Sequence, residues 1–284
     1  MKQSIKNIKY KIYRPSSNPY ISGDTFRNFS DHIYDDISTF NPTSVSTGDF
    51  IFVKTDFIYE FFSEVDTKIN KKYFLITHNS DANIKADMNF NLNNIIRWFA
   101  QNLENSTNQK ISMLPIGLEN KMYLKNGIPS RFSKSNILKN ENKLILSCFR
   151  DYSNKNRLEI NKIIENNKII DKYSEITNRK YISLVSEYKF NISPEGNGFD
   201  SHRLWESIIL ESIPIVENTS FISNLVSEGV PLLVLNDWEE IYGITPKFLN
   251  DYYKKNLTKV KSYKKVYFEY WKNLFLLERE KFLS

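Results

Sequence analysis

Arg203 and Glu206 stand out in this sequence because they follow a glycine loop at the start of a predicted helix. The two residues are three positions apart and therefore share one helix face. A helix start with free N–H groups binds anions, and a carboxylate on the same face can accept hydrogen bonds from ribose hydroxyls. The pattern favours a nucleotide diphosphate held by the loop and the helix start. An ordinary strand–loop–helix turn with an Arg–Glu surface pair has the same spacing.

The elements that must position these two residues are a strand, a loop and a second strand. Residues 189–193 read as a short strand, and residues 194–198 (Pro-Glu-Gly-Asn-Gly) read as a turn. The two glycines of this turn tolerate positive φ and would let a ligand approach the backbone. Asp200 or Ser201 can cap the helix. Residues 213–216 are short, apolar and β-branched, which is typical of a buried parallel strand.

Residues 188–216 as a whole resemble the signature of the exostosin family of glycosyltransferases, and the resemblance covers mainly residues 185–240. Two positions depart from the pattern: Asn191 stands where the family often has Cys, and Glu195 where it often has Arg. The second change removes a positive charge near the expected phosphates. The matching residues are Ser193, Pro194, Gly196, Asp200, Ser201, Arg203, Trp205, Glu206 and Ile213-Pro214-Ile215.

The resemblance implies a GT-B-like α/β fold, with two Rossmann-type parallel-sheet domains, a cleft between them and a C-terminal crossing helix. It also implies an inverting glycosyltransferase that moves a sugar from a nucleotide-diphosphate sugar, here a UDP-sugar, to a hydroxyl of a glycan acceptor. Glu206 would bind the donor ribose, and the other donor-binding residues would be Ser193, Pro194, Gly196, Asp200, Ser201 and Arg203. Asp200 could instead be only the helix cap.

Two alternatives of different classes stay open. The first is a GT-B fucosyltransferase that uses GDP-fucose, since its donor loop also has an aromatic strand and a helix with a glutamate. The second is a non-catalytic module that binds a membrane or nucleic acid through a basic tail. We do not expect nucleic acid as a partner, because the excess positive charge is confined to one segment and does not form a wide face.

Arg150 and Arg157 are further candidates for neutralising the diphosphate. Arg150 follows the apolar run of residues 144–149. It would therefore lie at the carboxyl end of a strand, where open α/β sheets bind their ligands. Residues 155–166 are predicted to form a helix that carries Arg157. Each of the two arginines has the plain alternative of a surface position.

The acceptor hydroxyl needs a general base, and the best candidates follow a predicted strand at residues 72–77. Asp81 is the first choice and His78 the second, although the same residues could form a structural loop with an Asx turn. Asp56, Glu119 and Asn120 are weaker candidates. The chain has three His and no Asp-x-Asp triplet, so we expect a metal-independent enzyme with no cofactor besides its donor substrate.

The length of 284 residues allows one large or two small domains, and 40% hydrophobic with 25% charged residues is a globular composition. Strands at 50–54, 72–77 and 111–117, with a strand or a helix at 95–100, predict a first α/β domain. Residues 121–142 read as a linker. We therefore expect an acceptor-side domain over 1–130, a nucleotide-sugar domain over 131–251, whose strands include one at 231–235, and a basic amphipathic helix over 252–284.

The segment 252–284 carries nine Lys or Arg and three Glu, which accounts for the net charge of +6 of the chain. Its apolar residues recur every three or four positions, which predicts one long helix. Packing across the first domain is the favoured interpretation, and peripheral contact with an anionic membrane is the alternative. No apolar leader or long apolar run is present, so the expected location is cytoplasmic, peripheral on a membrane at most.

Overall fold

The computed structural model describes residues 14–85, 88–104, 108–133, 137, 139–140, 142–151 and 154–284. It divides into two compact units. Unit 1 contains residues 1–127 and 267–284, and unit 2 contains residues 128–266. Each unit has its own sheet and its own buried core.

Unit 1 is built on a sheet of five parallel strands in the order β1-β2-β3-β4-β5. The strands follow one another in the chain, so each connection crosses over one face of the sheet. Strands β2 and β3 are buried along almost their whole length, as expected for a covered parallel sheet. The strands are β1 (His32–Tyr34), β2 (Phe50–Lys54), β3 (Tyr73–His78), β4 (Ile95–Ala100) and β5 (Ile111–Met113).

Unit 2 has a second sheet of five parallel strands, in the order β10-β9-β8-β6-β7. The chain passes from β6 to β7 on one side and then returns to β8 on the other side of β6. This reversal creates a topological switch point between the carboxyl ends of β6 and β8. The strands are β6 (Ile145–Ser147), β7 (Ile170–Lys172), β8 (Phe190–Ile192), β9 (Ile213–Glu217) and β10 (Leu233–Leu235).

Several of the helices begin at a residue whose side chain caps the helix N-terminus. Ser22, Thr177 and Thr219 each accept a hydrogen bond from the first turn of the helix that follows. The helices are α1 (Gly23–Phe29), α2 (Ile58–Glu60), α3 (Asn156–Ile163), α4 (Asn178–Glu187), α5 (His202–Ile209), α6 (Ser220–Ser227), α7 (Pro246–Lys261) and α8 (Phe268–Leu283).

The two parallel sheets confirm the predicted α/β class with two Rossmann-type units. The strand at 50–54 has the predicted bounds, the ambiguous segment 95–100 is a strand, and the run 111–117 contains only the shorter strand β5. The predicted helix over 155–166 is confirmed as α3, which ends earlier. Strands β1 and β7 and helix α1 are absent from the sequence predictions. The predicted cleft between domains stays a prediction.

The single helix predicted over 252–284 is wrong, because the segment forms two helices, α7 and α8, separated at residues 262–267. Tyr253 and Val260 of α7 belong to the core of unit 2. Trp271 and Phe275 of α8 belong to the core of unit 1, where the ring centroid of Phe275 lies 4.7 Å from that of Phe99. The spacing of apolar residues continues through both helices because each helix packs its apolar face against a core. The spacing alone therefore could not show where one helix ends and the next begins.

The return of α8 to unit 1 confirms the predicted crossing helix. Its backbone is tied to the start of the chain by a hydrogen bond from the Phe268 N–H to the Pro19 carbonyl at 2.9 Å. Arg97 in β4 forms a salt bridge of 3.0 Å with Glu278 in α8. None of the helices in the described part of the chain is long and apolar enough to cross a membrane.

Candidate functional site

The loop of residues 193–201 leaves the carboxyl end of β8 at the switch point of unit 2 and leads into α5. Ser201 is the N-cap residue of α5, but its side chain makes no capping hydrogen bond. The Asp200 carboxylate instead accepts the Ser201 N–H at 2.8 Å and the indole N–H of Trp205 at 2.8 Å. Asp200 is 4% exposed. Its carboxylate therefore anchors the helix start through Ser201 and Trp205. The prediction that the Asp200 or Ser201 side chain caps the helix is wrong, because Ser201 occupies the N-cap position without a side-chain capping hydrogen bond.

The glycines of this loop differ from the expectation in one respect. Positive φ occurs at Gly48, Gly117 and Gly229 among the described glycines, and Gly196 is not one of them. A Cβ added at Gly196 would meet the Arg157 Nη2 at 3.9 Å and the Asp200 carbonyl at 4.0 Å, which are ordinary contacts. The loop therefore needs no left-handed backbone at this position. The prediction that a ligand can approach the loop main chain here stays a prediction.

Arg157 ties the two ends of the switch point together. Its Nε donates to the Glu195 carbonyl at 2.8 Å, and its Nη2 donates to the Pro194 carbonyl at 3.2 Å, both after β8. Its Nη1 donates to the Arg150 carbonyl at 3.1 Å, after β6. Burial lowers the pKa of Arg157 to about 10, and the charge of Arg203 adds to the shift. The predicted phosphate ligand is thus held by three main-chain acceptors and clamps the loop.

Arg203 has two donor atoms that are not used within the described part of the chain. Its guanidinium carbon lies 5.0 Å from the centroid of the Tyr181 ring, a cation–π arrangement that fixes its direction. Its Nε and Nη1 atoms are buried and have no hydrogen-bond partner among the described residues. Buried polar atoms of native proteins are nearly always bonded, so an exception requires an explanation. An anion that accepts from both atoms would supply it.

The charges around Arg203 show which other groups lie nearby. Burial raises the pKa of the Cys148 thiol, while Arg203 and Arg150 both act to lower it, so both arginines are close to the end of β6. Burial also raises the pKa of Tyr181, which feels Arg203 and Glu206 with opposite signs. The structure thus brings together Arg150, Arg203 and Glu206. Glu206 is only 5% exposed, so a ribose could contact its carboxylate only if neighbouring side chains moved aside.

Ser193, Pro194 and Glu195 line a narrow pocket at the carboxyl ends of β8 and β9, with a volume of about 30 Å³. Ser193 and Pro194 are both buried, and the Ser193 hydroxyl donates to the Asn191 carbonyl at 3.2 Å. Burial raises the pKa of Glu195, and the charge of Glu217 in the same pocket raises it further. Glu195, which stands where the exostosin signature often has Arg, therefore lies beside a second carboxylate, that of Glu217.

In unit 1, the predicted base candidates His78 and Asp81 lie at the end of β3 and just after it. His78 is 2% exposed, its Nδ1 accepts the Asn79 N–H at 2.7 Å, and its Nε2 lies 3.3 Å from the Pro115 carbonyl. In this arrangement the Nε2 atom carries the proton, and both ring nitrogens of His78 are engaged in hydrogen bonds. Asp81 is exposed, as a base that meets an acceptor must be. Its role stays a prediction.

A polar cluster at the start of α1 was missed by the sequence reasoning. Asp24 is fully buried; its Oδ1 accepts from Asn79 Nδ2 at 3.1 Å and lies 3.4 Å from Arg14 Nη1. Its N–H donates to the Asn120 side chain at 2.8 Å. Burial raises the pKa of Asp24 against the opposing charge of Arg14. The Ser-Gly-Asp-Thr cap of residues 22–25 was its only sequence signal.

Comparison with known proteins finds distant structural similarities. No protein-family model matches the chain, and no curated protein matches it. A crystal structure of an α1,3-fucosyltransferase is similar over 84% of this chain and 70% of that chain, with 13% identity and a TM-score of 0.39. A crystal structure of α1,3-fucosyltransferase with GDP-fucose is similar over 86% and 94%, with 12% identity and a TM-score of 0.42. The site is therefore argued from its own geometry.

Proposed function

We propose that this chain is a glycosyltransferase that transfers a sugar from a nucleotide-diphosphate sugar to a hydroxyl of a glycan acceptor, with unit 2 binding the donor. The observation that carries the proposal is Arg203, whose buried Nε and Nη1 have no acceptor among the described residues. A diphosphate has the charge and the oxygens to pair with both donors. The position at a topological switch point of a parallel sheet supports nucleotide binding.

The chemistry follows from what transfer requires. As the sugar leaves, negative charge develops on the diphosphate, and positive groups that are already oriented stabilise it. Arg203 is oriented by Tyr181, and the clamp of Arg157 holds the loop main chain in place beside it. The proposed mechanism is inverting and needs no metal, since arginines would neutralise the leaving group. Loss of turnover in EDTA and its recovery with manganese would contradict this part.

On the acceptor side, Asp81 is the proposed base because it is exposed at the end of β3, whereas both ring nitrogens of His78 are engaged. Asp24 is the rival that the structure adds, since its Oδ2 is buried without a partner in the described chain. An acceptor hydroxyl could reach Asp24 only after the surrounding residues moved. Asp81 is therefore the first base to test.

The donor is tested by thermal shift with UDP, GDP and CMP, followed by transfer assays with the matching nucleotide sugars. A ligand that binds only the folded state raises the melting temperature by mass action. We expect a nucleoside diphosphate to stabilise the protein more than CMP does. UDP is the donor nucleotide expected from the signature, and GDP is its rival because a fucosyltransferase that uses GDP-fucose has a similar donor loop. Failure of every nucleotide and of pyrophosphate to bind would refute the proposal.

A further inference from the structure

Helix α7 carries the excess positive charge of unit 2. Its residues 246–261 include five Lys and one Asp. The rest of unit 2 contains sixteen Lys or Arg and sixteen Asp or Glu, so it has no net charge. Charges of one sign that are concentrated on one element produce a local potential that attracts the opposite charge. The excess charge of unit 2 therefore belongs to this one helix.

The lysines of α7 lie on the side of the helix that faces away from the core. Leu249, Tyr253 and Val260 are buried in the core of unit 2 and fix the rotation of the helix about its axis. At about 100° per residue, the opposite side of the helix is a continuous strip, which we call the outer face of α7. Its charged residues are all exposed, and they are Lys247, Asp251, Lys254, Lys255, Lys259 and Lys261.

Most lysines of the outer face have no ionic partner within the described part of the chain. Lys261 lies 3.7 Å from a carboxylate oxygen of Glu211. No described residue forms an ion pair or a hydrogen bond with the ammonium groups of the other four, Lys247, Lys254, Lys255 and Lys259. An external anionic surface can therefore pair with these four groups without breaking a contact inside unit 2.

An exposed aromatic ring lies beside the lysines at the start of α7. Phe248 is 45% exposed, and its N–H donates to the side chain of the N-cap residue Thr245 at 3.2 Å. The lysines extend from residue 247 to residue 261, about 21 Å along the helix axis. The surface of a lipid bilayer offers anionic headgroups over such a distance and an apolar layer beneath them for the ring. A nucleic acid duplex offers the charge without the apolar layer.

We propose that the outer face of α7 binds the surface of an anionic lipid bilayer, with its lysines at the headgroup phosphates and the Phe248 ring beneath them. Binding through this face requires no donor nucleotide, so it is independent of the proposed function. Each lysine near such a surface contributes about fivefold to the affinity, so four together outweigh the contribution of a single ring.

The test is sedimentation of the full chain with vesicles of pure phosphatidylcholine or of phosphatidylcholine mixed with phosphatidylglycerol. We expect binding to the mixed vesicles only, and weaker binding as the salt concentration rises. Lys254→Gln combined with Lys255→Gln keeps the helix propensity and should weaken binding about 25-fold. Lys162→Gln combined with Lys180→Gln is the matched control, because these exposed lysines of α3 and α4 give the same change in net charge. The control should bind like the parent.

Two further variants test the face by a gain of binding and by its apolar part. Asp251→Lys adds two positive charges to the outer face and should strengthen binding about 25-fold, a gain that misfolding does not produce. Phe248→Ser should weaken binding about three- to tenfold, because the half-exposed ring no longer enters the apolar layer. Urea denaturation without vesicles checks that each variant is folded.

Three results would overturn the proposal. They are a parent that does not bind the mixed vesicles, a control pair that loses as much as the α7 pair, and an Asp251→Lys variant that binds no better than the parent. Tighter binding to duplex DNA or heparin than to the mixed vesicles, with no effect of Phe248→Ser, would exclude the bilayer and assign the outer face to a soluble polyanion.

Discussion

Replacing Arg203 by Ala is expected to weaken anion binding while leaving the free protein as stable as before. The side chain has two buried donors without acceptors in the described chain, so its removal breaks no hydrogen bond made by those donors. Leaving buried donors unpaired costs about 1–3 kcal/mol, and the stacking on Tyr181 returns about 0.5–2 kcal/mol. These terms nearly cancel, so we expect the free energy of unfolding to change little.

The ligand-bound state responds differently. A hydrogen bond to a charged group contributes about 1.5–3 kcal/mol, so Arg203→Ala should weaken pyrophosphate and nucleoside diphosphates roughly 10- to 150-fold. Arg203→Lys keeps the charge but loses the planar fork, and it should recover only part of the affinity. Calorimetry measures the affinities, and urea denaturation without ligand measures the stability.

Arg157 provides the matched comparison, because the structure assigns its donors to main-chain carbonyls. Arg157→Ala leaves the Pro194, Glu195 and Arg150 carbonyls without this donor, so we expect a loss of roughly 2 kcal/mol or more in the free energy of unfolding. The reasoning is refuted if Arg203→Ala loses stability as Arg157→Ala does and still binds pyrophosphate like the parent.

Four further outcomes are expected. Gly23→Ala should destabilise unit 1 by about 1–3 kcal/mol in urea, because the new Cβ would lie 1.7 Å from the Asn79 Oδ1, whereas Gly243→Ala, with no atom within 4 Å, should not. Burial lowers the pKa of Lys139 to about 7, so the unfolded state binds more protons between about pH 7 and 10.5; parent stability should therefore rise over that range by at most about 1.4 kcal/mol per pH unit relative to Lys139→Met. Glu206→Gln should weaken nucleoside diphosphates in calorimetry without affecting pyrophosphate, and equal losses would exclude a ribose contact. Asp81→Asn should lower kcat about 10²- to 10⁴-fold with unchanged nucleotide binding, and parental turnover would place the base elsewhere.

Local sequence signals were sufficient to predict most strands of the two sheets. Strand β2 could be located because an apolar run begins after Gly48-Asp49, and β9 because Pro214 stops the preceding helix and residues 213–216 are short, apolar and β-branched. Such runs are read within a few residues, and burial in a parallel sheet requires little else. Helix α1 was not predicted, because its seven residues are too few to show a helical period. The need for glycine at position 23 arises from Asn79, which no local pattern connects to it.

For the candidate site, the sequence by itself determined which residue types stand where: a loop after a strand, a helix with Arg203 and Glu206 on one face, and basic residues near the end of another strand. It could not determine which arginine is free to bind a ligand. Arg157 and Arg203 look alike in the chain. Only tertiary structure brings Arg157 to carbonyls 37 and 38 residues away and leaves Arg203 stacked on Tyr181. A side-chain donor bonds to the acceptors that the fold places near it. Here the reversal of strand order between β6 and β8 brings the carbonyls of residues 150, 194 and 195 to Arg157.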